Sequence, residues 1–217
     1  MTVAGRRRCA VLGSPVAHSL SPVLHRAAYA QLGLDWTYDA IDVTEADLAT
    51  FLDGLDESWR GLSVTMPLKQ AAASLATQRS ALVTTIGAAN TLLLDRDARS
   101  AENTDVSGMR SALTEAGVGS VSRASVLGSG STALAALAAL ATITDEVVLL
   151  ARSRARAARA LDVAAALGLR VDVTPWEETD AALAAPVVVS TTPAGATDRL
   201  TARLPARPQV LFDVVYD

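Results

Sequence analysis

Six short apolar runs punctuate this chain: Cys9–Leu12, Leu62–Met66, Ser125–Leu127, Glu146–Ala151, Val187–Ser190 and Val210–Val215. Alanine-rich segments of helical pattern alternate with them from end to end. Alternation of this kind implies parallel sheets joined by crossover helices. No repeat at a fixed period and no coiled-coil pattern competes with it. The 217 residues suffice for one large domain or two of about 100 residues each. Aromatic residues make up only 4% of the chain, so Ala, Leu and Val must fill the core.

Local signals place several helices. Ser21-Pro22 reads as an N-cap followed by proline at the first helical position, with Gly33 closing that helix. Thr44-Glu-Ala-Asp47 reads as a capping box ahead of Leu48, Phe51 and Leu52. Met66-Pro67 ends a strand and opens a helix at Pro67, which puts Lys69 in the first turn. Leu92–Leu94 and the turn Asp95–Ala98 predict a hairpin leading to Asn103-Thr104-Asp105. A helix is expected from Val106 to Ala116, ended by Gly117. The glycine- and serine-rich break at 118–123 comes next. We therefore expect a substrate-type α/β domain over residues 1–104 and a nucleotide-type α/β domain over 105–217.

Composition excludes some classes of function. A net charge of −4 argues against a nucleic-acid surface, which needs a basic face. The single cysteine, Cys9, cannot form an internal disulfide and reads as a buried strand residue. Two histidines and one cysteine without ligand spacing argue against a zinc site. The apolar stretch after Arg6-Arg7-Arg8 is too short for a signal peptide, and Ala133–Ala141 is too short to span a bilayer. The expected location is the cytoplasm.

Four features carry chemistry. The chain holds eighteen arginines and one lysine, Lys69. Arginine stays charged, whereas lysine can exchange its proton when its surroundings change, so a lone lysine beside a strand-to-helix turn is a candidate for proton transfer. Val126-Leu127-Gly128-Ser129-Gly130-Ser131-Thr132-Ala133 has the form strand, G-x-G-x-x-A, helix. There the glycines allow a tight turn and close approach of backbone to a pyrophosphate at a helix N-terminus. The next strand ends in Ala151-Arg152-Ser153, with Arg154 and Arg156 following, where an NAD site usually has a carboxylate. Arginines without that carboxylate favour a 2′-phosphate, hence NADP. Finally, Gly13-Ser-Pro-Val-Ala-His18-Ser19-Leu-Ser21-Pro22 gathers hydroxyls able to hold a polyol after the first strand.

Five segments together resemble the shikimate dehydrogenase family: 14–22, 63–69 (Ser-Val-Thr-Met-Pro-Leu-Lys), 87–91 (Gly-Ala-Ala-Asn-Thr), 103–108 (Asn-Thr-Asp-Val-Ser-Gly) and 213–216 (Asp-Val-Val-Tyr). The resemblance covers essentially the whole chain. It implies two α/β domains: a substrate domain with a mixed, mainly parallel sheet, and a Rossmann-type NADP-binding domain. It implies NADPH-dependent reduction of 3-dehydroshikimate to shikimate, a step of aromatic amino-acid and chorismate biosynthesis.

By the same resemblance, Ser19 and Ser21 bind the substrate carboxylate. Thr65, Asn90 and Asp105 bind its hydroxyls along with Lys69, Lys69 and Asp105 form the catalytic pair, and Tyr216 reaches the substrate. Gly128, Ser129, Gly130, Ser131 and Thr132 match the phosphate loop, and Ala151, Arg152, Ser153 and Arg156 the NADP-selecting turn. Thr191 and Val214 lie beside the nicotinamide end. The implied partners are small molecules only, with neither nucleic acid nor membrane, in a monomer or homodimer. Two residues depart from the family pattern: Ser131 stands where a third glycine is common, and Leu134 where an arginine is common. Family members also continue past the position of Tyr216 with helices that bring a substrate-binding glutamine, so the resemblance implies a C-terminally short form. Quinate/shikimate or aminoshikimate dehydrogenases on the same scaffold, or an inactive nucleotide-binding relative, are the alternatives.

Overall fold

The run around Cys9 becomes β1 (Arg7–Gly13). The chain returns through α1 (Ser21–Gln31) to β2 (Trp36–Asp42) and through α2 (Leu48–Asp53) to β3 (Trp59–Val64), and both strands pair in parallel with β1. Next come α3 (Lys69–Leu75), β4 (Gln78–Arg79), α4 (Ala81–Ile86) and the antiparallel hairpin of β5 (Thr91–Asp95) and β6 (Ala98–Glu102). The mixed sheet has the order β2-β1-β3-β5-β6-β4. This computed structural model describes residues 7–95, 98–204 and 210–215. The chain divides into two units, one reaching Thr104 and the other starting at Asp105.

β1 reads as an unbroken apolar run because both of its faces are covered. Ala10 and Leu12 enter a core with Leu48, Leu52, Leu62, Val64, Leu68 and Leu92. Cys9 and Val11 enter a second layer with Val16 and Tyr38, against Tyr29 and Trp36. β2 lies at the sheet edge, and its sequence Trp-Thr-Tyr-Asp-Ala-Ile-Asp has no apolar run, so composition alone did not reveal it.

Three local expectations need correction. The Thr44–Asp47 capping box does not form: the Thr44 hydroxyl bonds the Asp47 carboxylate, which is thereby diverted from the helix backbone. Pro67 is not the first helical residue, because Met66–Leu68 make a turn containing the cis Met66–Pro67 bond and α3 begins at Lys69. Ser21 is already helical, and its N–H donates to the Ser19 hydroxyl oxygen at 3.3 Å, so the cap sits one residue earlier, at Leu20.

The second unit continues α5 (Thr104–Glu115) into β7 (Ala124–Leu127), α6 (Ser131–Leu140), β8 (Glu146–Leu150), α7 (Arg154–Ala166), β9 (Arg170–Thr174), α8 (Asp180–Leu183), β10 (Val187–Ser190) and β11 (Val210–Asp213). Its sheet is wholly parallel, in the order β11-β10-β7-β8-β9, a Rossmann-type arrangement. Every residue of α6 from Ala133 to Leu140 is buried, as expected of a helix that is apolar all round. Leu134 is among them, at 0% exposure. No helix among the described residues is long and apolar enough to cross a membrane.

Candidate functional site

In the first unit, the C-terminal ends of β1 and β3 lie side by side, and the chain turns sharply after each. Thr65 N–H donates to the Leu12 carbonyl at 2.8 Å, and Ser14 N–H to the Met66 carbonyl at 3.2 Å. Gly13 makes this approach possible: a Cβ there would collide with Thr65 Cγ2 and reach the Met66 carbonyl oxygen at 3.0 Å. Thr65 is half-buried, and so is Lys69 at the start of α3. Ala89 N–H bonds the Lys69 carbonyl at 2.8 Å, which places the turn before β5 against the same corner.

That turn presents Asn90. Its carbonyl accepts from Val64 N–H at 2.7 Å, its side-chain amide donates to Thr104 Oγ1 at 2.9 Å, and its Oδ1 accepts from Thr104 N–H at 2.9 Å. Buried Asn103 donates to the Ala88 carbonyl at 3.0 Å. Ser19, on the turn after β1, and Ser21, which opens α1, share this end of the sheet. There the Tyr38 phenol, reaching across from β2, donates to Ser63 Oγ at 2.6 Å. Burial raises the Tyr38 pKa, and its interactions with the Ser63 and Ser21 hydroxyls oppose the rise. This end of the sheet thus gathers hydroxyls, an amide and one ammonium, a set suited to a polyhydroxylated carboxylic acid. His18 is exposed on the same turn.

In the second unit, the strand order reverses between β7 and β10, and open parallel sheets bind ligands at the carboxyl ends of strands beside such a switch point. Gly128–Thr132 follows β7 there. Gly128 adopts φ +105°, and a Cβ on it would lie 2.8 Å from Thr191 Oγ1. The Thr191 hydroxyl itself donates to the Leu127 carbonyl at 2.9 Å, so it fastens the turn after β10 to the glycine turn. Gly130 has open space where a side chain would stand. Ser131 opens α6, whose backbone N–H groups face the turn. After β8, Ala151 is buried while Arg152 and Ser153 are exposed. Ser153 caps α7 by accepting from Arg156 N–H at 3.3 Å, which leaves Arg152, Arg154 and Arg156 exposed around a helix N-terminus. Val214 N–H donates to the Ser190 carbonyl at 3.2 Å, which brings the segment after β11 beside the Thr191 turn. A glycine cradle, a helix N-terminus and a cluster of arginines fit a dinucleotide carrying an extra phosphate.

A cavity of about 1120 Å³ lies at the other end of the first sheet, where β1, β2 and β3 begin. Its arginines are committed locally: Arg7 to the Glu57 carbonyl, Arg60 to the Leu94 carbonyl and Arg99 to the Asp53 carboxylate. The candidate site is therefore placed by the residues at the opposite end of the strands and not by this cavity.

Comparison with known proteins agrees with the geometry. The shikimate dehydrogenase substrate-binding domain matches residues 11–92. A shikimate dehydrogenase (NADP(+)) of Anaeromyxobacter sp. (strain K) is 40% identical over 213 residues, which are 95% of this chain and 77% of that protein. This chain belongs to the shikimate dehydrogenase family. Among solved structures, shikimate dehydrogenase of Mycobacterium tuberculosis superposes with a TM-score of 0.87 at 40% identity, over 97% of this chain and 80% of that one. The shikimate 5-dehydrogenase of Thermus thermophilus in complex with NADP(H) and shikimate gives a TM-score of 0.74 at 34% identity, over 86% of this chain and 68% of that one.

Within the family framework, Asp105 stands half-buried in the first turn of α5, directly after Thr104. Tyr216 lies outside the described residues. Sequence reading assigned no role to Gly13, Ser63, Tyr38 or Thr104. Ser63 and Thr104 sat inside recognised segments and could have been found there. Tyr38 carried no signal, since only the fold carries it across β1 to Ser63.

Proposed function

We propose that this chain catalyses the NADPH-dependent reduction of 3-dehydroshikimate to shikimate, as an oxidoreductase of the aromatic amino-acid and chorismate route. The observation that carries the reading is the gathering of Thr65, Lys69 and Asn90 with the Ser19–Ser21 segment at one end of the first sheet, in a chain whose second sheet presents Gly128 at its switch point. We assign residues 1–104 to the substrate and 105–217 to the dinucleotide.

Bound NADPH supplies the hydride. Ser19 and Ser21 donate to the substrate carboxylate, and Thr65, Asn90 and Asp105 hold its ring hydroxyls. Negative charge develops on the ketone oxygen during reduction, and the Lys69 ammonium stabilises it and delivers the proton. Asp105, in the first turn of α5, is the second member of the catalytic pair. Tyr216 adds a substrate contact. Gly128, Ser129, Gly130, Ser131 and Thr132 hold the pyrophosphate, Ala151 and Ser153 shape the adenosine-side turn, and Arg152 and Arg156 pair with the 2′-phosphate. Thr191 and Val214 border the nicotinamide. Water-soluble substrates of this kind suit a cytoplasmic enzyme acting as a monomer or homodimer.

A spectrophotometric assay with shikimate and quinate, each with NADP and NAD, tests the reading. Shikimate with NADP is expected to give the highest kcat/KM. A preference for quinate would move the chain to the neighbouring activity, and no turnover with any combination would refute the enzymatic reading.

A further inference from the structure

A buried phenol needs a hydrogen-bond partner, and the bond it makes constrains what that partner can do. Tyr38 is 2% exposed, in the layer with Cys9, Val11 and Val16. Its hydroxyl donates to Ser63 Oγ at 2.6 Å, two residues before Thr65. On its other side the His25 ring stacks on it, with centroids 4.0 Å apart and planes at 14°, and His25 Nδ1 lies 2.9 Å from the Ser21 carbonyl oxygen. Arg26 Nε donates to the Tyr38 carbonyl at 2.8 Å, which pins the same strand to α1. One side chain therefore couples the end of β3 to the start of α1.

A hydroxyl carries one proton and two lone pairs. By accepting the hydrogen bond from the Tyr38 phenol, Ser63 fills a lone pair and its own proton turns away from the phenol, ready to be donated. Ser19 is biased in the same way, because its oxygen accepts the Ser21 N–H at 3.3 Å. An anionic, hydroxylated ligand binds best to hydroxyls already turned as donors.

We infer that Tyr38 is a positioning residue for the substrate: its phenol sets Ser63 as a hydrogen-bond donor, and its stack with His25 holds the Ser19–Ser21 segment at the same end of the sheet. The inference rests on the shikimate reading above. Tyr38 touches no reacting atom, so its effect falls on substrate binding and not on the hydride step.

Tyr38→Phe keeps the ring and the stack and removes only the hydroxyl. The expected result is a rise in KM for shikimate of about three- to tenfold, the range of one hydrogen bond, with kcat and the KM for NADP unchanged. Ser63→Ala should raise KM similarly, and adding Tyr38→Phe to it should have little further effect, since groups acting through one another are not additive. An unchanged KM in a folded Tyr38→Phe, or full additivity with Ser63→Ala, overturns the inference. Should Tyr38→Phe fail to fold, Ser63→Ala decides alone, and an unchanged KM there overturns it. A parent enzyme that oxidises no shikimate with NADP brings down the functional reading and this inference together. An active parent whose variants match it brings down the inference alone.

Discussion

At the residue scale, the proposed chemistry rests on Lys69, and Gly13 permits the close approach of the turns after β1 and β3 in the same unit. Lys69→Ala is expected to cut turnover by about two to four decades while NADP affinity, read by fluorescence titration, stays normal. Lys69→Arg should fail as well, because guanidinium cannot exchange the proton. Activity of either variant within a factor of two of the parent would remove Lys69 from the mechanism. Gly128 is held at φ +105° with Thr191 Oγ1 where a Cβ would stand. Gly128→Ala should therefore weaken NADP binding through strain of about 1–3 kcal/mol, measurable by the same titration. Away from the site, Thr179 Oγ1 is buried with no hydrogen-bond partner among the described residues. Thr179→Val keeps the shape and removes the orphan, so chemical denaturation should show unchanged or higher stability, by up to about 1–2 kcal/mol. Lys69 was legible in the sequence because it is the single lysine among nineteen basic residues. The orphan at Thr179 was not, since partnership is a property of packing.

At the element scale, the turn from β8 into α7 and the layer beneath α1 make separate predictions. Ser153 caps α7 and leaves three arginines at a helix N-terminus, an arrangement unfavourable by a few tenths to about 1 kcal/mol until an anion arrives. Arg152→Ala should narrow the preference for NADP over NAD by about tenfold or more, visible as a ratio of kcat/KM values. Beneath α1, burial raises the pKa values of both Tyr29 and Tyr38, and the Cys9 thiol adds to the rise at Tyr29. A folded value above the unfolded value of about 10 means stability that is full below that pH and lost as pH rises through the folded values. Tyr29→Phe should therefore flatten the alkaline fall in unfolding midpoint. The helix starts at Ser21-Pro22 and Lys69 were legible to within two residues from proline and serine chemistry. The capping box at Thr44 misled, because its two side chains satisfy each other before either reaches the backbone.

At the scale of the whole molecule, the alternation of apolar runs with alanine-rich helices was enough to give two sheets, because buried parallel strands must be apolar on both faces. It was not enough to reveal β2 and β9, which are edge strands with interrupted apolar patterns. The cofactor side was legible because the glycine turn and the following arginines are contiguous in sequence. The substrate end of the first sheet was legible only through separated segments, of which 14–22, 63–69 and 87–91 share a location that depends on the pairing of β1, β3 and β5. On the proposed function, this one chain moves a hydride between shikimate and NADP. Shikimate deuterated at the carbinol carbon that becomes the ketone, incubated with the protein and NADP, tests that claim most directly. Mass spectrometry should find one deuterium in each NADPH formed. NADPH without deuterium, or none formed, would contradict it.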